Sequence, residues 1–243
     1  MLWYLTKKKG DKIMKKRSGF TLAEVLITLG IIGVVAAMTI PTLIANTNSA
    51  RFRSQFKKTI SSLAQAGLMS QAQYDFDYSI TTSNDACSAD PKDDDPEATF
   101  SFCALFNGTL SGHTIYTTAD PPVNKNGDAY NITMGLNNLY YLQLADGSLV
   151  AFQKDAHDCT KGVTEEITDV DASCVGFIDV NGTTLPNKQV TCDQHADSIT
   201  VATGNCAVPN DAQHMTDIFP IVFHDGTVEP ATPAARYVLT SSK

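Results

Sequence analysis

The run FTLAEVLITLGIIGVVAAMTIPTLI, residues 20–44, constrains this chain more than any other feature. It is 25 residues long and holds one ionisable side chain, Glu24. At about 1.5 Å of rise per residue, a helix of that length exceeds the roughly 30 Å hydrocarbon core of a bilayer, so the run predicts one membrane-spanning helix. Lys7, Lys8, Lys9, Lys12, Lys15, Lys16 and Arg17 precede it against a single acid, Asp11. Flanks rich in Lys and Arg stay in the cytoplasm, which sends everything after Ile44 to the outside. Arg51, Arg53, Lys57 and Lys58 follow the run, but the leader holds more positive charge. An ordinary secretory signal is the plainer alternative, with Ala36 and Ala37 near a cut. Three features oppose it: the length of the run, its start directly after the basic stretch, and Glu24.

Glu24 has no basic residue within the run to pair with. A carboxylate in a span usually has a partner and a purpose. Its partner is therefore expected from elsewhere, at a chain terminus or on another subunit.

The segment KKRSGFTLAEVLITLGIIGVVAAMTIPTL, residues 15–43, resembles the amino terminus of type IV pilins and of the pseudopilins of type II secretion systems. The resemblance implies that a prepilin peptidase cuts between Gly19 and Phe20 and methylates the new amine of Phe20. It implies that Glu24 meets that amine on a neighbouring subunit during assembly, and that Pro41 kinks the helix. The implied partners are the peptidase, other pilin or pseudopilin subunits in a homo- or heteropolymer, an inner-membrane assembly platform, and membrane lipid. The implied fold is α+β and pilin-like: a long bent amino-terminal helix, membrane-spanning in its first half, with an antiparallel β-sheet head packed on its second half. The division is a leader at 1–19, a transmembrane and assembly helix at 20–44, its amphipathic continuation at 45–73, and an extracytoplasmic head at 74–243. Met14 offers a second start, with the short leader MKKRSG and the same mature chain.

Pro41 lacks an N–H and its ring crowds the carbonyl four residues back, so a kink is expected there on physical grounds too. Beyond it, Phe52, Phe56, Ile60, Leu63 and Gly67 recur at helical spacing, with Arg53, Lys57, Lys58, Ser61, Ser62 and Gln65 between them. That pattern predicts an amphipathic helix whose apolar stripe packs on the head. After Tyr74 the pattern changes. Strands are expected at 139–144 and 148–153, flanking an Asp146-Gly147 hairpin turn, and at 175–180, 198–202 and 218–226. Residues 81–98 read as an exposed acidic loop.

All six cysteines, Cys87, Cys103, Cys159, Cys174, Cys192 and Cys206, lie in the head. An even number outside the cytoplasm favours disulfides. Six cysteines allow 15 pairings, and the sequence does not choose among them. Sequential pairing, Cys87–Cys103, Cys159–Cys174 and Cys192–Cys206, closes three loops of similar size and is the preferred arrangement. Residues 179–187, DVNGTTLPN, admit two readings. Asp179, Asn181 and Asn187 are oxygen donors that suit calcium, and the loop resembles one found in pseudopilin heads. Asn181-Gly182 is equally a strong turn former, and the turn is the favoured reading.

The five histidines, His113, His157, His195, His214 and His224, show no metal-ligand spacing, and no nucleophile-elbow, phosphate-loop or dinucleotide motif occurs. No enzyme activity and no bound cofactor are expected. From Tyr74 onward there are seven basic and 24 acidic residues, which argues against binding nucleic acid. The expected function is a structural subunit of a type II secretion pseudopilus or a type IV pilus, held in the bacterial cytoplasmic membrane by a single pass. Its head would face the periplasm or cell surface. The alternatives are a minor tip pilin acting as an adhesive module and a membrane-anchored extracytoplasmic enzyme.

Overall fold

The computed structural model describes residues 19–82, 87, 100–163, 172–193 and 206–241. The leader up to Ser18, most of the acidic loop, the strand candidate at 198–202 and His195 lie outside the described residues. Two compact units divide between Thr42 and Leu43.

Helix α1 (Leu22–Tyr74) contributes to both and continues through Pro41. In the first unit its side chains from Phe20 to Val35 are all exposed. In the second unit Phe52, Phe56, Ile60, Leu63 and Gly67 are buried, as the spacing requires. Arg53 departs from its expected place on the polar face. It is 7% exposed, with its guanidinium donating to Ser241 Oγ and, at 3.1 Å, to Asn210 Oδ1. Residues far along the chain, Ser241 and Asn210, supply acceptors that helical periodicity does not reveal.

After α1 come α2 (Phe102–Thr109), β1 (Thr114–Tyr116), β2 (Leu139–Gln143), β3 (Leu149–Gln153), β4 (Val175–Asp179), β5 (Ile218–His224), β6 (Thr227–Pro230) and α3 (Pro233–Thr240). The strands form one sheet in chain order, antiparallel throughout. The β2–β3 turn is the Asp146-Gly147 hairpin. Gly147 sits at φ 87°, a conformation that favours a residue without a Cβ. Asp146 accepts from Ser148 N and from Lys58 Nζ.

Successive side chains of a strand point to opposite faces, and both faces of this sheet are covered. Tyr140, Leu142, Val150, Phe152, Ile178, Phe219, Ile221 and Phe223 join the stripe of α1 and helix α2 in the main core. Phe56 stacks on Phe219 with ring centroids 4.3 Å apart. Tyr141, Ala151, Phe177 and Ile218 face the other way, under Tyr130 and its neighbours. Pro220 is tolerated within β5 because its backbone edge faces Ala231, just past the end of β6.

Gly67 marks where α1 meets the sheet closely. A Cβ there would lie 2.8 Å from Tyr78 Cε2 and 2.9 Å from Gly226 O. Three disulfides join Cys87 to Cys103, Cys159 to Cys174 and Cys192 to Cys206. With the long α1 and the six-stranded antiparallel sheet, the architecture is α+β and matches a pilin-like fold.

Candidate functional site

The amino-terminal end of α1 is built on the sequence Thr21-Leu22-Ala23-Glu24. Thr21 Oγ1 accepts from Glu24 N at 3.3 Å, while Glu24 Oε2 accepts from Thr21 N at 2.7 Å and from Thr21 Oγ1 at 2.8 Å. This is a reciprocal capping box, satisfying donors that a helix start leaves open. Thr-x-x-Glu is the sequence signal of this cap, and Thr21 is absent from the sequence-based expectations for Glu24. Both bonds to the Glu24 carboxylate end on Oε2, and Oε1 accepts none among the described residues. Phe20, Glu24, Val25 and Thr28 line a shallow recess at this end.

Gly19 and Phe20 are exposed, Phe20 at 88%. Farther along, Thr28 donates to Val25 O, Thr39 to Val35 O and Thr42 to Thr39 O. With Thr21 in the cap, every threonine hydroxyl of the run finds an acceptor within its own helix, as an apolar medium requires. Pro41 leaves the carbonyl of Ala37 without its usual donor, and the helix passes through it unbroken. The helix is long and apolar enough to cross a membrane.

The second cluster that sequence singled out lies in the head. Asp179 ends β4 and is fully buried. Its Oδ2 accepts from the Tyr130 hydroxyl at 2.6 Å, and its Oδ1 from Asn181 N at 3.2 Å. Burial pushes the Asp179 carboxyl up to about 8; the Tyr130 hydrogen bond opposes that rise and the nearby charge of Asp217 adds to it. Asp217, also fully buried, is pushed up by burial, although it accepts from Asn187 N and Lys188 N at 2.8 and 2.9 Å. Burial likewise raises the Tyr130 hydroxyl.

These contacts form a turn. Asp179 receives the amide two residues on, Gly182 has φ 65°, and Asn181 Nδ2 donates to Leu185 O at 3.2 Å. Calcium prefers six to eight oxygen ligands, several of them ionised. Here the carboxylate oxygens already accept from the chain's own donors, and Asn181 Oδ1 and Asn187 Oδ1 are the two buried oxygens of this turn left without partners. The donor set fits a closed turn better than a calcium cage. Asn187 acts through its backbone amide, and Asp217, absent from the sequence-based set, takes the central place.

No curated protein and no solved structure matches the chain. The prokaryotic N-terminal methylation motif matches residues 14–40, the stretch that contains Gly19, Phe20, the Thr21–Glu24 cap and most of the exposed apolar helix. The chain thus carries the prepilin-cleavage signature of type IV pilins and pseudopilins at the start of an apolar helix that fits a membrane anchor.

Proposed function

We propose that the protein is a structural subunit and not an enzyme. A prepilin peptidase cuts it between Gly19 and Phe20 and methylates Phe20, and it then polymerises through residues 20–44 into a type II secretion pseudopilus or a type IV pilus. Before assembly the helix crosses the bacterial cytoplasmic membrane once, with the head on the periplasmic or cell-surface side. The observation that carries this reading is the methylation motif lying on an apolar helix with no protein cover among the described residues.

The chemistry follows from the cap. Cleavage creates an amine at Phe20 whose pKa near 8 keeps it largely cationic. Within its own chain Glu24 spends one oxygen on Thr21, and Oε1 remains for the amine of a neighbouring subunit. A cation delivered there neutralises the one charge of the apolar run as helices come together away from water, where an unpaired charge is costly. Substituting Glu24 by Ala removes the acceptor and leaves the apolar length unchanged. The expected outcome is a variant that still fractionates with the membrane and no longer enters filaments sheared from cells. Normal incorporation of Glu24→Ala would overturn the assembly role.

A further inference from the structure

A cleft in the head opens where α1 leaves the apolar run. Its walls include Asn48, Arg51 and Phe52 on one side and Leu185, Pro186 and Met215 on the other. Leu185 is 79% exposed, more than any other large apolar side chain of the second unit among the described residues. Arg51 is exposed and has no carboxylate partner among the described residues. The neighbouring cations differ: Lys58 pairs with Asp146 at 2.9 Å, Lys57 donates to Ser241 O, and Arg53 is buried.

No acid occurs between Glu24 and Asp75, so Arg51 is an exposed cation with no acid near it in sequence, on a chain whose remainder from Tyr74 onward is strongly acidic. A head of net negative charge approaches an anionic membrane most favourably where an unpaired cation faces it. Arg51 lies seven residues past Ile44, about 10 Å of helix. The headgroup layer beyond the hydrocarbon is roughly 5 to 8 Å deep, and an arginine side chain reaches across the remainder.

We propose that, before assembly, this cleft seats the head on the outer headgroup layer, with Leu185 dipping into the membrane interface and Arg51 holding the phosphate of an anionic lipid. The proposal rests on the membrane-spanning reading of residues 20–44. A lipid occupant is favoured over a second copy because the cleft wall continues directly from the end of the span and its unpartnered charge suits a phosphate. The apolar run of another copy offers one carboxylate, Glu24, whose Oε1 the proposed assembly reserves for a Phe20 amine.

The test uses the full chain with Trp3→Phe and Leu185→Trp. Trp3 is the one native tryptophan, so the substituted side chain is the sole tryptophan emitter. The protein is reconstituted into phosphatidylcholine vesicles with increasing phosphatidylglycerol, and flotation confirms insertion. The expected result is blue-shifted emission that lipids brominated near the glycerol end quench, in proportion to phosphatidylglycerol. Adding Arg51→Gln raises the phosphatidylglycerol needed for half-maximal quenching about fivefold, the factor given by one lost lipid-facing cation. Protein that floats with water-like, unquenched emission overturns the docking and leaves the span intact. A blue shift that depends on protein-to-lipid ratio and not on phosphatidylglycerol assigns the cleft to a second copy and also overturns it. Failure to float removes the membrane reading itself, and this inference with it.

Discussion

The buried carboxyl of Asp179 ties the stability of the head to pH in a direction opposite to that of ordinary paired carboxylates. Its usual value is 3.8 and burial raises it to about 8 in the folded chain. Between those limits the folded state holds a proton that the unfolded chain has released, so stability is fully present at low pH and declines as pH rises through this window. Each pH unit in that window is worth ~1.4 kcal/mol, so going from pH 5 to pH 8 costs up to about 4 kcal/mol through Asp179 alone. Asp217, raised for the same reason, adds in the same direction. Asp146 and Asp211 are held below the usual carboxylate range and contribute little above pH 5. His113, held down by burial, opposes the trend on the acid side. For a chain of this size about 1 kcal/mol moves Tm by 2–4 °C, which predicts a Tm roughly 10 °C higher at pH 5 than at pH 8. Near-ultraviolet circular dichroism melts of the full chain in a neutral detergent measure it. Asp179→Asn still accepts from the Tyr130 hydroxyl and cannot titrate, so its Tm should vary much less across the range. A flat wild-type profile, or an Asn variant with the wild-type slope, would refute the reasoning.

Two further outcomes are expected. Gly67→Ala forces a methyl group against Tyr78 and the Gly226 backbone, so urea unfolding should show a loss of about 1–3 kcal/mol, the usual cost of overpacking; unchanged stability would mean that α1 and the β5–β6 hairpin are less tightly apposed. Chelation of calcium should leave Tm unchanged, because the 179–187 turn is closed by its own donors, and a rise of several degrees on adding calcium would restore a cation to Asp179, Asn181 and Asn187.

The elements readable in the sequence were those with strong periodicity or turn chemistry. The stripe from Phe52 to Gly67 repeats over four turns, and Asp146-Gly147 marks its hairpin without help from distant residues. Strands β1 and β6 are only three and four residues long, too short for alternation to register, and β6 ends at a proline. Helix α3 announces itself weakly through Thr232 as cap and Pro233 in its first turn. Helix α2, with its Ser101 cap, is an apolar eight-residue segment that a strand would also suit. Arg53 and Asp217 were misplaced or missed for one reason. Their partners, Ser241, Asn210, Asn187 and Lys188, arrive from distant parts of the chain, and burial of a charged side chain is decided by such tertiary contacts. At the assembly end the signal was local and still missed: Thr21 and Glu24 are three residues apart in a capping-box pattern, but a lone carboxylate in an apolar run points first to a distant cation.

The most direct test of the account is the intact mass and amino-terminal sequence of the protein extracted from membranes, in cells with and without prepilin peptidase. The account predicts a chain beginning at N-methylated Phe20 only when the peptidase is present, gaining six hydrogens on reduction of its three disulfides. A chain beginning beyond Ala36, or the same amino terminus in both strains, would contradict it.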